Sequence, residues 1–260
     1  MLGLFDSGLG GLTVAKAILE KHPQTDLLYL GDTARAPYGN KGKELIQQYA
    51  IENARWLIEN GATAIGIACN TASVAATETL RTEFPDIPVY NVIEPVIEEI
   101  KRLKPASIGV LGTRGTLASN VYQDAIRESV ANARIEAIAC PLFVPLVEEG
   151  MADSPEAQSI AKRYLAPLIA NPPEVLVLGC THYPILERTI AALLPSTKIL
   201  NGPALFAASL PTLTANAQQR IIFTDLPSHT RVLAQRWLGC DEQIISLIPS
   251  SLFKEEGGQI

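Results

Sequence analysis

The sequence predicts an α/β protein built from two similar α/β domains with mainly parallel sheets, and three features support this fold class. Of the 260 residues, 47% are hydrophobic and 18% are charged, which is typical of a folded globular protein. Short apolar runs alternate with longer amphipathic stretches, as strands and helices do in parallel α/β sheets. A strand–turn motif near the start also has a similar copy further along the chain.

The apolar runs are continuous rather than alternating, as expected for strands that are covered on both faces. In chain order the predicted strands are Leu2–Phe5, Leu27–Leu30, Ala64–Ala68, Val89–Val92, Ser107–Leu111, Ile135–Ala139 and Val175–Leu178, followed by the weaker Lys198–Leu200, Arg220–Thr224 and Ile244–Leu247. Helices are predicted over Asn40–Glu59, with Leu45, Tyr49 and Trp56 on its apolar face, and over Leu117–Ala131.

A faint internal repeat predicts how these elements are divided between domains. The stretch 3–8 resembles 109–113, and the stretch 67–71 resembles 177–181. Each half of the repeat therefore carries one cysteine at a strand end. We predict a first domain from residues 1–100 plus about 205–260 and a second domain from residues 101–204.

Ligands of parallel α/β sheets bind at the carboxyl ends of the strands, so the residues that follow each predicted strand are candidates for a site. Small polar residues and glycines collect at these positions. They are Asp6 and Ser7, Pro37, Tyr38 and Gly39, Cys69, Asn70 and Thr71, Thr113 and Thr116, and Cys180, Thr181 and His182.

Cys69 and Cys180 have matched placements that predict a shared chemical role. Helix N-termini and nearby hydrogen-bond donors lower the pKa of a thiol from its usual value of about 8.5. Two facing thiols suit the inversion of a stereocentre, because one thiolate removes a proton and the opposite thiol delivers a proton to the other face. A lone buried cysteine is more often an apolar filler, and we expect this of Cys140 and Cys240.

Three acidic or basic residues near these cysteines have both a structural and a chemical interpretation. Asp6 could cap a helix, hold a substrate ammonium or assist proton transfer at a thiol. His182 follows Cys180 by two residues and could stabilise a thiolate there. Glu148 ends an apolar segment, where a glutamate is more often simply solvated.

Composition and missing motifs exclude several classes of function. The net charge of −6 without a basic block argues against nucleic acid as the main ligand. The chain shows no signal peptide and no stretch that predicts a membrane span. It also has no Cys-x-x-Cys pair for zinc, no complete dinucleotide motif, and no strand-end lysine that suits pyridoxal phosphate. We therefore predict a cytoplasmic protein with free thiols, no cofactor and no metal.

Five motifs in order over roughly residues 1–190 resemble those of the glutamate racemase family. They are Phe5-Asp6-Ser7-Gly8-Leu9-Gly10-Gly11-Leu12-Thr13, Pro37-Tyr38-Gly39, Ala68-Cys69-Asn70-Thr71-Ala72-Ser73, the stretch from Pro141 to Gly150, and Gly179-Cys180-Thr181-His182-Tyr183-Pro184. The resemblance implies two similar α/β domains with the active site in the cleft between them. It also implies interconversion of L- and D-glutamate, with D-glutamate supplied for peptidoglycan synthesis, and a homodimer.

The resemblance also implies roles for individual residues. Cys69 and Cys180 match the two acid/base residues, with Cys69 acting on D-glutamate and Cys180 on L-glutamate. Asp6, His182 and Glu148 match residues that assist the thiols. The positions that match substrate-binding residues are Ser7, Pro37, Tyr38, Gly39, Asn70, Thr71, Thr113, Thr116 and Thr181.

Other readings remain open from the residues alone. The nearest is racemisation of aspartate or hydantoins on the same scaffold. A two-lobed amino-acid-binding protein without catalysis would not require two matched thiols. A thiol redox enzyme or cysteine hydrolase would call for a Cys-x-x-Cys pair, or for one nucleophile with one histidine.

Overall fold

The computed structural model describes residues 1–211, 216–239 and 245–248. Its strands are β1 (Leu2–Asp6), β2 (Leu27–Gly31), β3 (Ala64–Ile67), β4 (Val89–Asn91), β5 (Ser107–Gly112), β6 (Arg134–Ala139), β7 (Val175–Gly179), β8 (Lys198–Leu200), β9 (Gln219–Phe223) and β10 (Ile245–Leu247). The predicted strands are thus confirmed to within a residue or two at their ends, and Ile244 lies outside the described residues.

Helices connect most of the strands. They are α1 (Leu12–Lys21), α2 (Lys43–Glu59), α3 (Asn70–Glu83), α4 (Glu94–Leu103), α5 (Arg114–Ala118), α6 (Val121–Ser129), α7 (Phe143–Glu148), α8 (Pro155–Tyr164), α9 (Ala166–Ala170), α10 (Glu187–Leu193), α11 (Gly202–Ser209) and α12 (Ser228–Leu238). Short 3₁₀ helices span Thr33–Arg35, Tyr38–Asn40 and Tyr183–Leu186.

The strands form two sheets in which neighbouring strands run parallel. The first sheet has the order β10-β9-β2-β1-β3-β4 and the second has the order β6-β5-β7-β8. The first sheet therefore combines strands from the two ends of the chain, and the second is built from its middle. The predicted α/β class with parallel sheets is confirmed.

Two helix predictions differ from the structure. The helix predicted from Asn40 begins at Lys43, and Leu45, placed on its apolar face, is 39% exposed. The face that α2 buries is offset by one position and comprises Ile46, Ala50, Asn53, Ala54 and Leu57. The single helix predicted over Leu117–Ala131 is wrong, because Asn120 has a φ of 57° and separates α5 from α6. A left-handed residue interrupts the helical hydrogen-bond pattern.

Buried apolar side chains of both sheets belong to one core cluster. Leu4 and Ile221 represent the first sheet in this cluster, and Val110 and Val177 represent the second. Close packing of this kind fixes the two sheets relative to each other, since displaced core side chains would leave unfilled space. The carboxyl ends of the strands are thereby held at a common cleft.

Two sequence predictions concern the cysteines and membrane-spanning helices. Cys69, Cys140 and Cys180 are buried free thiols, and Cys240, predicted to be a filler, lies outside the described residues. In the part of the chain that the structure describes, no helix combines the length and apolar character needed to cross a membrane.

Candidate active site

A cavity of about 230 Å³ lies where the carboxyl ends of the two sheets meet. Its walls come from the loops that follow β1, β2, β3, β5, β6 and β7. Of the residues predicted for the site, the cavity is lined by Ser7, Pro37, Tyr38, Gly39, Cys69, Asn70, Thr71, Thr113, Glu148, Cys180, Thr181 and His182. The structure thus brings together candidates that are far apart in sequence.

Two predicted site residues, Asp6 and Thr116, lie behind the cavity wall. Asp6 is fully buried, and its Oδ1 accepts a hydrogen bond from the Gly8 N–H at 2.8 Å. Its Oδ2 accepts the Thr181 hydroxyl at 3.2 Å. Burial raises the pKa of Asp6, while the charge of His182 and these hydrogen bonds oppose the increase. Asp6 therefore ties the end of β1 to the loop that carries Cys180.

Cys69 lies between the end of β3 and the start of α3. Its thiol donates to Ser7 Oγ at 3.4 Å, and its Sγ accepts from the Ala72 N–H at 3.4 Å, so that Cys69 is the N-cap of α3. We expected this helix start to lower the thiol pKa. Burial and the nearby Asp6 carboxylate instead raise the pKa of Cys69 to about 12, against the two hydrogen bonds. Cys69 is therefore a neutral thiol at neutral pH.

Cys180 has a different environment because a histidine and a glutamate line up behind it. Nδ1 of His182 lies 3.9 Å from Sγ of Cys180, and Nε2 of His182 lies 2.9 Å from Oε1 of Glu148. Burial disfavours a charged His182, but the interactions with Cys180 and Glu148 outweigh it and raise the pKa of His182 to about 10. An imidazolium at this position places a positive charge next to Sγ of Cys180.

The loop after Cys180 differs from the one after Cys69. Helix α3 begins at the residue after Cys69. A turn and the 3₁₀ helix Tyr183–Leu186 come first after Cys180, and α10 begins only at Glu187. A helix N-terminus therefore lies next to Cys69, whereas Cys180 has the side chain of His182 beside it instead.

Three threonine hydroxyls form a triangle that joins the two sides of the cleft. Oγ1 of Thr71 lies 3.1 Å from Oγ1 of both Thr113 and Thr116, and the latter two lie 3.0 Å apart. Thr71 belongs to α3, while Thr113 is the N-cap of α5 and Thr116 lies within α5. Hydroxyls of this kind can reorient to donate to a carboxylate that enters the cavity.

The loop that carries Tyr38 is anchored by residues that the sequence analysis did not single out. The Tyr38 hydroxyl donates to Asp32, which also accepts from Arg35 Nε at 2.7 Å and from Thr224 Oγ1 at 3.1 Å. The guanidinium of Arg35 additionally bonds to Glu52 and Asn53. The hydroxyl of Tyr38 is thus engaged away from the cavity, and its loop is held by a buried network.

The sequence analysis assigned no role to three further residues around the cavity. Arg114 lines the cavity with an exposed side chain. The ring of Trp237, from α12, meets the ring of His182 edge to face at a centroid distance of 5.8 Å. Gly10 lies so close to Thr181 and His182 that a side chain would not fit. The glycine-rich stretch Gly8–Gly11 is the sequence feature that could have indicated this contact, since two loops approach this closely where a residue has no side chain.

Comparisons with known proteins agree with this arrangement. A model of the Asp/Glu/Hydantoin racemase family matches residues 13–210. A glutamate racemase of Aquifex aeolicus is 41% identical over 256 residues, which cover 97% of this chain and 98% of that protein.

Two solved structures extend the comparison to the fold. A glutamate racemase from Francisella tularensis, crystallised in complex with D-glutamate, has a TM-score of 0.87 and 33% identity, and the match covers 95% of this chain and 96% of that one. An Escherichia coli glutamate racemase in complex with L-glutamate has a TM-score of 0.81 and 26% identity, with 95% and 98% covered. The chain therefore belongs to the Asp/Glu/Hydantoin racemase family and is an amino-acid racemase.

Proposed function

We propose that this racemase interconverts L- and D-glutamate without a cofactor, with Cys69 and Cys180 as its two acid/base groups. One observation carries the proposal: both thiols line a single cavity although they follow strands of different sheets. The similar proteins from Aquifex aeolicus, Francisella tularensis and Escherichia coli are glutamate racemases, and the latter two structures hold D- and L-glutamate respectively.

In the direction from L- to D-glutamate, the Cys180 thiolate removes the α-proton and the Cys69 thiol donates a proton to the opposite face. Afterwards Cys180 is a thiol and Cys69 is a thiolate, so that atoms and charge balance. The imidazolium of His182 favours the starting thiolate, and the high pKa of Cys69 keeps its proton available. The reverse reaction starts from a Cys69 thiolate, which accepts from the Ala72 N–H. The Ser7 hydroxyl, which accepts from the Cys69 thiol, can turn to donate to the thiolate.

The α-proton of an amino acid is a very weak acid, so the site must stabilise the negative charge that develops when the proton leaves. Preorganised donors in a water-poor cavity are the usual means. The hydroxyls of Thr71 and Thr113 and the amide of Asn70 line the cavity and supply such donors, and Thr181, whose hydroxyl donates to Asp6, lines the cavity beside them. We assign them to the substrate carboxylates, together with Ser7 and the loop of Pro37, Tyr38 and Gly39.

The wider expectations remain part of the proposal. We propose that residues 1–100 with the C-terminal segment form one domain and that 101–204 form the other. The resemblance to glutamate racemases further suggests a homodimer in the cytoplasm that supplies D-glutamate for peptidoglycan.

The test is racemisation of glutamate in D₂O without added cofactor. Wild-type protein is expected to convert either enantiomer and to place solvent deuterium on the α-carbon of the product during a single turnover. Cys69→Ser and Cys180→Ser are each expected to lower kcat/KM about 10³-fold, since each removes an acid/base group. Cys140→Ala is the matched control, because Cys140 is a buried thiol that does not line the cavity.

Three results would contradict the proposal. Racemisation of aspartate but not glutamate would reject the substrate. Activity retained in either serine variant would reject the two-thiol mechanism. Deuterium found first in the recovered substrate rather than in the product would indicate one base that returns the proton to the same face.

A further inference from the structure

Asn70 and Tyr122 form a hydrogen bond that connects the two sides of the cleft. The Tyr122 hydroxyl donates to Oδ1 of Asn70 at 2.6 Å. Asn70 directly follows Cys69, begins α3 and lines the cavity. Tyr122 lies in α6, which follows β5 of the second sheet, and is 1% exposed. A residue outside the cavity lining therefore contacts a residue that belongs to it.

Burial of Tyr122 fixes the direction of this hydrogen bond. Burial and the nearby Cys180 raise the pKa of Tyr122, so its hydroxyl keeps its proton at neutral pH. Oδ1 of Asn70 is the acceptor recorded for that proton within the described residues. If the amide were turned around, the buried O–H would have no acceptor there, which is unfavourable.

The direction of the hydrogen bond determines what Asn70 presents to a ligand. With Oδ1 engaged by Tyr122, the Nδ2 group of Asn70 remains to donate to a ligand in the cavity. Among the described residues, Nδ2 has no hydrogen-bond partner. A carboxylate oxygen is a suitable acceptor for it. A turned amide would present Oδ1 instead and would repel the carboxylate.

The ring of Tyr122 also packs against the strand that leads to Cys180. A Cβ placed on Gly179, the last residue of β7, would lie 3.3 Å from Cε2 of Tyr122. Gly179 immediately precedes Cys180. The Tyr122 ring thus lies beside the residue before Cys180, and its hydroxyl bonds to the residue after Cys69.

We propose that Tyr122 is a positioning residue that acts through Asn70, turning the Asn70 amide so that Nδ2 donates to a carboxylate of the substrate. The inference rests on the proposed glutamate racemisation and adds a determinant of substrate binding. Tyr122 itself touches no reacting atom. Its effect must therefore be expressed in KM and must depend on the Asn70 side chain.

A double-mutant cycle with Tyr122→Phe, Asn70→Ala and the double variant tests this dependence. Racemisation is followed by circular dichroism from both enantiomers, and thermal melts show that each variant is folded. Tyr122→Phe removes only the hydroxyl. We expect KM to rise about fivefold, which corresponds to the loss of one ordinary hydrogen bond, and we expect kcat to change little. In the Asn70→Ala background the same change should leave KM unaltered.

Tyr183→Phe serves as the matched comparison, because Tyr183 is also a fully buried tyrosine whose hydroxyl donates to a neighbour, the Cys140 carbonyl, at 2.9 Å. Its effect on KM should be the same with and without the Asn70 side chain. An unchanged KM in Tyr122→Phe, or an equal rise of KM with and without the Asn70 side chain, would overturn the proposed role of Tyr122. The proposed function would still stand. Wild-type protein inactive on glutamate would instead overturn the proposed function, and this inference with it.

Discussion

Cys69 and His182 are both buried at the cavity, yet their surroundings favour a neutral thiol on Cys69 and a positively charged imidazole on His182. Burial beside the Asp6 carboxylate keeps the Cys69 thiol neutral, while Glu148 and Cys180 favour a protonated His182. The neutral Cys69 thiol retains a proton to donate, and the imidazolium of His182 places a positive charge beside Cys180. The asymmetry arises from neighbours, since both cysteines are nearly inaccessible to solvent.

The pH dependence of activity should report the His182–Glu148 contact. The pKa of His182 is raised to about 10, so the imidazolium beside Cys180 is present below that pH and is lost above it. Wild-type kcat should therefore fall as the pH rises through about 10. Glu148→Gln removes one cause of the raised pKa, and we expect the alkaline limb to move to lower pH.

The measurement is the pH profile of kcat for the wild type and for both glutamine variants, Glu148→Gln and the control Glu149→Gln. Glu149 is exposed and directly follows Glu148, so its change alters net charge equally without touching His182. Free substrate titrates identically in all three proteins. An alkaline limb that stays in place in Glu148→Gln, or moves as far in Glu149→Gln, would show that the contact does not set the charge of His182.

At the level of elements, the loop between β1 and α1 fits closely against the loop after β7. A Cβ built on Gly10 would overlap the Thr181 hydroxyl and lie 2.5 Å from Nδ1 of His182. The same contact is supported by Thr13, whose hydroxyl lies 3.0 Å from the Thr181 carbonyl. The absence of a side chain at Gly10 is thus what lets the two loops meet.

Gly10→Ala should therefore reduce activity more than it reduces stability. The added methyl group must displace His182 or separate the loops, and a small displacement of a catalytic group can lower the rate about 100-fold. Gly202→Ala is the control, because its Cβ would meet Val96 at an ordinary 3.7 Å. Steady-state kinetics and thermal unfolding of both variants make the comparison. An unchanged kcat/KM in Gly10→Ala would show that the two loops can move apart without a loss of activity.

The strands and their ends were predictable because continuous apolar runs identify buried parallel strands regardless of what surrounds them. Helix details were less predictable. The run from Leu117 looks continuous, but the left-handed Asn120 divides it, and α2 buries Ile46 rather than Leu45 because the position of the sheet decides the face. The partners of Asp32 and Tyr122 follow no local pattern, since Thr224 and Asn70 lie far away in sequence.

At the scale of the whole molecule, the two sheets share apolar packing as well as the polar cleft. The core cluster that contains Leu4 of the first sheet also contains Val110 and Val177 of the second. Helix α4 links the two, and it contacts both α6 and α11. Two proposed domains joined in this way should not unfold separately, because opening either one exposes apolar surface of the other.

Val110→Ala tests this expectation, since Val110 is fully buried in the second sheet. The cavity should lower the free energy of unfolding by about 2 kcal/mol, and the loss should appear equally in both sheets. Hydrogen exchange of peptides from β3 and β7, measured with increasing urea, reports the first and second sheet separately. The control Val232→Ala, at a side chain that is 62% exposed, should change neither. Faster exchange in β7 with β3 unaffected would mean that the sheets unfold independently, and the closed cleft would then depend on its polar contacts alone.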